Sequence, residues 1–440
     1  MSSEKKLSSY ESYEYFGEFF LSEESYDVKF AGKVSFSPES GLVLTYSISD
    51  SRLPREAERL FAILDNGKKC TLIGPFDFSG GTMRFGTIHT KFGHHGFHHL
   101  LVGEFIDKDT KLEKCHFTFG HMQDFFFNKG HELSVPFEEG NLHEIRSKEF
   151  QLNVKHVAFG NDVSVNLKNV VVPINGSDDF VCELHRSIDE LTNKYPEQSL
   201  LLRTSLEYYF EYTAYKSKSA EDIYDDLYKI SSLFSVFMFK PILLDVVEFI
   251  YNKNRIQLLS SQFVESRTLE VATSKSNHFH LPINNKKVRL EEVVPNWIEH
   301  YEEFRVISTT LMFETNFRTL HSAYSDIVLY ITQLESINNS LGMSYDARFE
   351  NPIDHYGCAK LIKNLKVLLS KASKDSVGKS LSTVRNEIAH LTQSKKMMNK
   401  LSLSDYVEVG HLLRLISISH LLAMVGVELN VIHQYQDRLL

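Results

Sequence analysis

The sequence predicts an α+β protein of more than one domain, in which a β-rich N-terminal region precedes an α-helical bundle. Residues 1–176 contain short runs of apolar and aromatic residues separated by Gly, Asp, Asn and Ser, a pattern typical of strands joined by turns. From Leu290 onward every long segment has the apolar period of a helix. A chain of 440 residues is also too long for one ordinary hydrophobic core.

The first domain, residues 1–176, is expected to be a β-sandwich or a partly closed barrel, because its predicted strands are short and closely spaced. The clearest predicted strands are Tyr13–Leu21, Gly41–Ile48 and Val163–Leu167. One segment departs from this pattern. Leu53–Leu64 combines good helix formers with a proline, Pro54, in its first turn, and it therefore predicts a helix.

Residues 177–289 show a mixed pattern, and we expect this segment to pack with the first domain. Leu206–Thr213 predicts a strand, and Ala220–Phe239 predicts a helix because its apolar residues recur on one face. Two further strands are predicted at Ile242–Tyr251 and Arg255–Phe263. The polar run Thr273–Lys287 predicts a linker or a long loop before the last domain.

Residues 290–440 are expected to form an independent bundle of helices joined by short loops. The predicted helices are Val294–Phe313, Arg318–Leu341, Asp354–Ser370, Leu381–Lys396 and Ser404–His433. Gly342, Gly378 and the Asn351-Pro352 pair lie between them, at positions where helices are expected to end.

Composition and cysteine usage indicate a cytoplasmic protein without a membrane partner. The four cysteines are scattered and form no C-x-x-C pair, which argues against a disulfide framework or a zinc ribbon. The most apolar stretch, Leu233–Ile250, is interrupted by Lys240, Asp245 and Glu248 and is not expected to span a bilayer. The net charge of −9 argues against a protein that is basic over its whole surface.

The residues that best suit catalysis are Arg385, Asn386 and His390, which are predicted to share one helix near the C-terminus. Asn386 and His390 are four positions apart and would lie on one face. Arg385 would lie about 140° from His390 and would reach the same pocket through its long side chain. Arginine suits a phosphate, and histidine suits proton transfer near neutral pH. The alternative is a surface arginine and a capped or half-buried histidine on an ordinary helix.

The segment around these residues is strongly basic. Residues 360–400 contain ten Lys or Arg and two acids, Asp375 and Glu387, so the local charge is +8 in a chain of net charge −9. Charge segregated in this way suits a polyanionic ligand. The alternative is a solvated helix face, since some of these lysines must point away from the candidate site.

The run Arg385-Asn-Glu-Ile-Ala-His390 resembles the R-x4-6-H signature of HEPN ribonucleases, including the polar residue that follows the arginine. The predicted bundle at residues 290–440 is similar to the helical domain that carries this signature. The N-terminal part, including the strand–helix–strand run Leu206–Tyr251, is similar in layout to that of the ApeA group of abortive-infection proteins. These proteins couple such a domain to a C-terminal HEPN domain.

The resemblance implies a metal-independent RNA endonuclease with no cofactor, in which two bundles of a homodimer bring their motifs into one cleft. His390 would transfer protons, Arg385 would hold the scissile phosphate, and Asn386 would support them. Cleavage would leave a 2′,3′-cyclic phosphate. Further contacts to RNA are expected from the neighbouring lysines, which are Lys379, Lys395 and Lys396.

The resemblance also implies a role in anti-phage defence, in which the N-terminal domain senses a phage protein and the bundle attacks RNA, with tRNA the expected substrate. A toxic nuclease of this kind is expected to be inactive until it is triggered. The alternative is a non-catalytic HEPN-like binding or scaffold protein that senses a phage protein or a nucleotide.

Five histidines between positions 89 and 99 need a separate interpretation. Imidazole groups can bind zinc or nickel, so a metallohydrolase is a third possibility. The stretch contains no cysteine or acid and matches no zinc-site spacing. We therefore predict a glycine-flanked loop between strands, with the histidines at the surface or on one face of a sheet, and assign no metal site. The histidines are His89, His94, His95, His98 and His99.

Overall fold

The computed structural model describes residues 6–22, 28–49, 56–77, 80–85, 88–126, 142–163, 170–173, 201–261, 265–276, 278–390 and 394–440, with isolated positions between 183 and 194. The chain forms two compact units. The first comprises Met1–Tyr228, Leu243–Ser266 and Ser276–Phe279, and the second comprises Lys229–Ile242, Arg267–Lys275 and His280–Leu440. The first is mainly strands and the second mainly helices, which confirms the predicted α+β class. The predicted boundaries after residues 176 and 289 stay predictions.

The strands, in chain order, are β1 (Tyr13–Phe20), β2 (Phe30–Ser37), β3 (Gly41–Ile48), β4 (Glu56–Leu64), β5 (Lys69–Asp77), β6 (Gly81–Phe85), β7 (Ile88–Phe97), β8 (His99–Gly103), β9 (Leu112–Phe119), β10 (His143–Arg146), β11 (Phe150–Val163), β12 (Val170–Pro173), β13 (Leu201–Lys218), β14 (Leu244–Tyr251) and β15 (Asn254–Ser260). The helices are α1 (Met122–Phe126), α2 (Ala220–Met238), α3 (Ser266–Thr273), α4 (Leu290–Met312), α5 (Leu320–Ser340), α6 (Asn351–Tyr356), α7 (Ala359–Ser370), α8 (Val377–Ala389), α9 (Leu403–Met424) and α10 (Leu429–Leu439).

All described strands belong to one sheet with antiparallel pairing, in the order β10-β11-β13-β9-β14-β15-β8-β5-β4-β1-β2-β3-β7-β6, with β12 beside β11. Only His98 separates β7 from β8, and β7 pairs with β3 while β8 pairs with β5. Between these two strands, β3 pairs with β2, β2 with β1, β1 with β4, and β4 with β5. Because β7 and β8 are nearly continuous, they join the two ends of this series and close this part of the sheet into a barrel. Of the two predicted architectures, the pairing therefore matches the barrel and not the sandwich.

The barrel interior is filled by alternate side chains of its strands, as strand geometry requires. Phe19, Leu44, Leu60, Leu72 and Leu100 are each at most 1% exposed and belong to one hydrophobic cluster. Burying large side chains in this way contributes about 1.5–3 kcal/mol for each one. Strand alternation and aromatic content in the sequence thus correctly predicted a strand-built core.

The helix predicted at Leu53–Leu64 is wrong, because Glu56–Leu64 is strand β4, and residues 53–55 lie outside the described residues. Leu60, Ala62 and Leu64 alternate along this strand and face the barrel core. The helix propensity of its Glu, Ala and Arg residues is a weak local preference. Pairing with both β1 and β5 outweighs that preference.

The loop predicted for the histidine-rich stretch is also wrong, because the stretch forms strands β7 and β8. His94 and His98 are exposed, and His95 Nε2 lies 2.7 Å from the carbonyl oxygen of Pro75. Burial, with smaller effects of His98 and Arg59, lowers the pKa of His99 to about 4. Successive side chains of a strand point to opposite faces, so His94 and His95 lie on opposite faces of β7. The described residues contain no group of three His, Cys, Asp or Glu that could hold a metal ion.

The predictions for the middle of the chain are largely confirmed. Strand β13 includes Leu206–Thr213, helix α2 matches its prediction within one residue, and β14 and β15 occupy the two further predicted strands. Val163 ends β11, while residues 164–167 of that predicted strand lie outside the described residues. The predicted loop at 273–287 begins where α3 ends, at Thr273. Leu281 and Ile283 within it are buried, so part of this segment packs against the protein.

In the second unit, two predicted helices are each divided in two. A break at Gly357 separates α6 from α7, where a Cβ atom would lie 2.5 Å from the carbonyl oxygen of Ile353. Gly426 separates α9 from α10 with a φ of +101°, a conformation that favours glycine. Pro352, predicted to lie between helices, instead lies in the first turn of α6, where proline is tolerated.

Helix α9 is the central helix of this unit and contacts α4, α5, α6, α7 and α10. It is long and apolar enough to cross a membrane by length and composition, but 72% of its apolar window is buried within the protein. Burial on all sides is typical of a core helix in a globular unit.

Candidate functional site at the end of helix α8

Helix α8, which carries Arg385 and Asn386 of the predicted catalytic residues, is fixed at its start by contacts of its first residues. The side chain of Ser376 accepts a hydrogen bond from the Lys379 N–H, as an N-cap residue does. The Gly378 N–H donates to Glu350 Oε1 at 2.9 Å. A Cβ atom at Gly378 would lie 2.8 Å from Glu350 Cγ, so glycine permits this close approach. Leu381 and Val384 are buried, and α8 packs against α5 and α7.

The end of the helix differs from the prediction. Helix α8 ends at Ala389, and not at Lys396, so Asn386 begins its last turn and Arg385 lies just before that turn. His390 is the C-cap residue, with extended backbone angles of φ −111° and ψ 118°. Its N–H still donates to the Asn386 carbonyl oxygen at 3.0 Å. Because the histidine has left the helix, helical spacing no longer determines where its ring lies relative to Asn386 and Arg385.

Hydrogen bonds of Glu387 and Lys395 connect residues 395–398 to the end of α8. Glu387, which is buried, accepts hydrogen bonds from the N–H groups of Met397 at 3.0 Å and Met398 at 2.9 Å. The Lys395 ammonium group donates to the carbonyl oxygens of Glu387 and His390, the latter at 2.7 Å. A cation at a helix C-terminus compensates carbonyl groups that lack helical partners. Lys395 therefore acts as a cap for the site helix.

The predicted site residues differ in exposure. The side chain of His390 is exposed, and within the described residues its ring makes no hydrogen bond or ion pair. Asn386 is half-buried. Lys379 pairs with Asp375 at 3.1 Å on the surface, and Lys396 is exposed. His390 is thus accessible to a ligand. Of the three lysines predicted to bind RNA, Lys379 is ion-paired and Lys395 donates hydrogen bonds to the end of α8, whereas Lys396 is exposed.

Arg385 belongs to a cluster that the sequence did not predict, formed with Glu335, Tyr345 and Arg348 and here named the Glu335 cluster. Arg385 Nη1 lies 3.5 Å from Glu335 Oε2, and Arg348 Nε lies 3.1 Å from Glu335 Oε1. The Tyr345 hydroxyl donates to Glu335 Oε1 at 3.0 Å. Two arginines and one carboxylate leave a net charge of +1 beside the end of α8. That charge suits a phosphate group.

Glu335, Tyr345 and Arg348 could not be predicted as partners of Arg385, because they are distant in sequence from the R-x4-H run. Glu335 lies in α5, and the other two lie in and just after the short 3-10 helix Tyr345–Ala347. The contacts between α5 and α8 bring them to Arg385. Within the sequence, the only available signal was an arginine and a tyrosine in a turn between two predicted helices.

Comparison with known proteins identifies a family for the N-terminal part. The family described as ApeA N-terminal domain 1 matches residues 14–297, which is more than half of the chain. Neither the curated proteins nor the solved structures gave a match. The family match ends before helix α5 and so does not include the candidate site. The chain therefore belongs to the ApeA family, a family of anti-phage defence proteins.

Proposed function

We propose that this chain is a metal-independent RNA endonuclease of HEPN type that acts in anti-phage defence. The observation that carries the proposal is the end of helix α8, where an exposed His390 directly follows the last helical turn and Arg385 lies just before that turn. The surrounding excess of positive charge supports a polyanionic substrate. Membership of the ApeA family supports the defence role.

In the proposed reaction, His390 accepts the proton of a ribose 2′-hydroxyl, and the 2′-oxygen attacks the adjacent phosphorus. The bond from phosphorus to the 5′-oxygen breaks, and that oxygen takes up a proton. The products are a 2′,3′-cyclic phosphate and a 5′-hydroxyl. Arg385 stabilises the charge that develops on the phosphate oxygens, and Asn386 supports the position of the substrate. The need for a 2′-hydroxyl restricts the reaction to RNA.

The reaction needs one group to remove a proton and another to supply one. We propose that a homodimer supplies both, with the His390 of each copy facing one cleft. The substrate is proposed to be tRNA in the cytoplasm, and the first unit is proposed to restrain the nuclease until a phage protein is present. In support of such restraint, more than half of the chain belongs to a region other than the candidate catalytic bundle.

One observation favours the alternative of a non-catalytic binding protein. Arg385 is already paired with Glu335, and an arginine held only for structure would not bind a phosphate. The 3.5 Å distance and the 31% exposure of the Arg385 side chain describe a loose and accessible ion pair, however. Such pairs contribute little to stability, so a phosphate can compete for this guanidinium.

The test compares the wild type with Arg385→Ala and His390→Ala during phage infection and with purified protein on total tRNA. We expect each substitution to reduce cleavage by more than about 100-fold and to abolish protection. Cleavage by the wild type should continue in EDTA and leave cyclic phosphate ends. His321→Ala, at an exposed histidine of α5, and Arg305→Ala, at a surface ion pair with Glu302, are matched controls.

Wild-type activity in both variants would overturn the nuclease proposal. Protection without any RNA cleavage by the wild type would instead favour the binding protein. Loss of cleavage in EDTA, restored by a divalent ion, would overturn the metal-independent mechanism.

A further inference from the structure

The turn after helix α5 presents an aromatic ring to solvent beside the proposed cleavage site. Tyr345 is 58% exposed, although burial of its ring would be favourable. Its hydroxyl is nevertheless fixed by the 3.0 Å hydrogen bond to Glu335. The Arg348 guanidinium covers one face of its ring, 4.2 Å from the ring centre. The ring is therefore exposed and held at the same time.

Arg348 is oriented by three neighbours. Besides Tyr345, its guanidinium lies 4.6 Å from the centre of the Phe349 ring, and its Nε faces Glu335 at 3.1 Å. One nitrogen, Nη1, donates to the Tyr345 carbonyl oxygen at 3.4 Å. The carboxylate of Glu335 thus holds Arg348 and Arg385 on its two oxygens. Two oriented guanidinium groups next to one carboxylate suit a chain of phosphates spaced along a backbone.

We propose that Tyr345 and Arg348 form a nucleotide subsite for single-stranded RNA next to the proposed scissile phosphate. Arg348 binds a phosphate that neighbours the one held by Arg385, and the open face of the Tyr345 ring stacks on a base. Proteins that bind single strands commonly combine cationic groups with aromatic platforms in this way. Because the ring is already held by Glu335 and Arg348, little side-chain entropy is lost on binding. Glu335 is the positioning residue of the subsite.

The inference rests on the proposed function, and RNA binding tests it separately from catalysis. The probe is a fluorescein-labelled, unstructured RNA of about 12 nucleotides, titrated with the full-length His390→Ala protein. In this background we expect Tyr345→Ala to weaken binding about tenfold, and Tyr345→Phe to weaken it less, because it keeps the ring and loses only the hydrogen bond to Glu335. Arg348→Ala should weaken binding by a similar factor and reduce the slope of log affinity against log salt by about 0.7.

The control is a second exposed arginine–aromatic pair in the same unit. The Arg267 guanidinium lies 4.4 Å from the Phe317 ring, which is 53% exposed, and substitution of either residue by Ala should leave RNA binding unchanged. Parental affinity in both Tyr345→Ala and Arg348→Ala would overturn the subsite and leave the nuclease proposal standing. No RNA binding by the His390→Ala parent would overturn the nuclease proposal and the subsite together.

Discussion

Among the described residues of the helical unit, two clusters each join one glutamate to two arginines, and these clusters differ in burial and charge. In the first, here named the Glu314 cluster, Glu314 binds Arg318 at 2.7 Å and Arg414 at 2.6 Å, and Arg318 also faces Asp326 at 3.4 Å. Both Glu314 and Arg414 have side chains that are 7% exposed. In the Glu335 cluster, Glu335 lies 3.1 Å from Arg348 and 3.5 Å from Arg385. The side chains of these three residues are 24–31% exposed.

The difference separates an ion cluster that holds the fold from one that can exchange partners. The Glu314 cluster contains two carboxylates and two arginines, so its charges cancel and little is left for a ligand. The Glu335 cluster keeps a net charge of +1 at an accessible position. Breaking a buried ion pair leaves an uncompensated charge, whereas an accessible pair can be replaced by water or a phosphate at small cost. We therefore expect substitution of the glutamate to cost much stability in the Glu314 cluster and little in the Glu335 cluster.

The largest expected effect is on stability. Glu314→Gln should destabilise the helical unit by about 3–5 kcal/mol, because Arg318 and Arg414 lose their shared carboxylate. Glu335→Gln should destabilise it by less than about 1 kcal/mol. The measurement is the midpoint of the urea transition followed by circular dichroism at a helical wavelength. Glu302→Gln, at a surface pair, is the control, and equal effects at Glu314 and Glu335 would remove the distinction between the clusters.

The second prediction concerns pH. Burial raises the pKa of Glu314, but hydrogen bonds and charges of Arg318 and Arg414 outweigh burial and lower it from 4.5 to about 2. A carboxyl group with a lowered pKa stabilises the fold above its unfolded pKa and loses that contribution as pH falls toward its folded pKa. Glu314 should therefore contribute about 3 kcal/mol at neutral pH, lost between pH 4.5 and 2.

The measurement for this prediction is the difference in unfolding free energy between the wild type and Glu314→Gln as a function of pH. Other carboxyl groups titrate in both proteins and cancel in the difference. We expect the difference to be constant above pH 4.5 and to shrink as pH falls below that value. A difference that does not change with pH would show that Glu314 is not ionised in the folded protein.

The smallest expected effect separates two neighbouring lysines in the segment that follows helix α8, Lys395 and Lys396. Lys395→Ala should destabilise the protein by about 0.5–1 kcal/mol, because two carbonyl groups at the end of α8 lose their cation. Lys396→Ala should leave stability unchanged but reduce the salt slope of RNA binding by about 0.7, the loss of one phosphate contact. Urea denaturation and the fluorescein-labelled RNA titration measure the two effects, and a reversed pattern would place the cap at Lys396.

The fold could be predicted where a local pattern and the tertiary environment agree. Helix α2 was predicted because its apolar residues recur on one helical face, and the aromatic run within Leu206–Thr213 predicted the central part of strand β13. Residues Glu56–Leu64 were mispredicted because composition favours a helix and only pairing with β1 and β5 makes them a strand. The histidine-rich stretch was mispredicted for a similar reason. Its glycines suggested a loop, but pairing with β3 and β5 makes it strands β7 and β8.

The sequence alone determined the α+β class, the helix that carries Arg385 and Asn386, and the basic character of the segment around them, because these depend on local periodicity and composition. The tertiary structure decided where that helix ends and which side chains face it. The end at Ala389 depends on Glu387 and Lys395 binding back to the helix terminus. The pairing of Arg385 with Glu335 and Arg348 depends on how α5 packs against α8. Contacts between residues distant in sequence leave no local pattern to read.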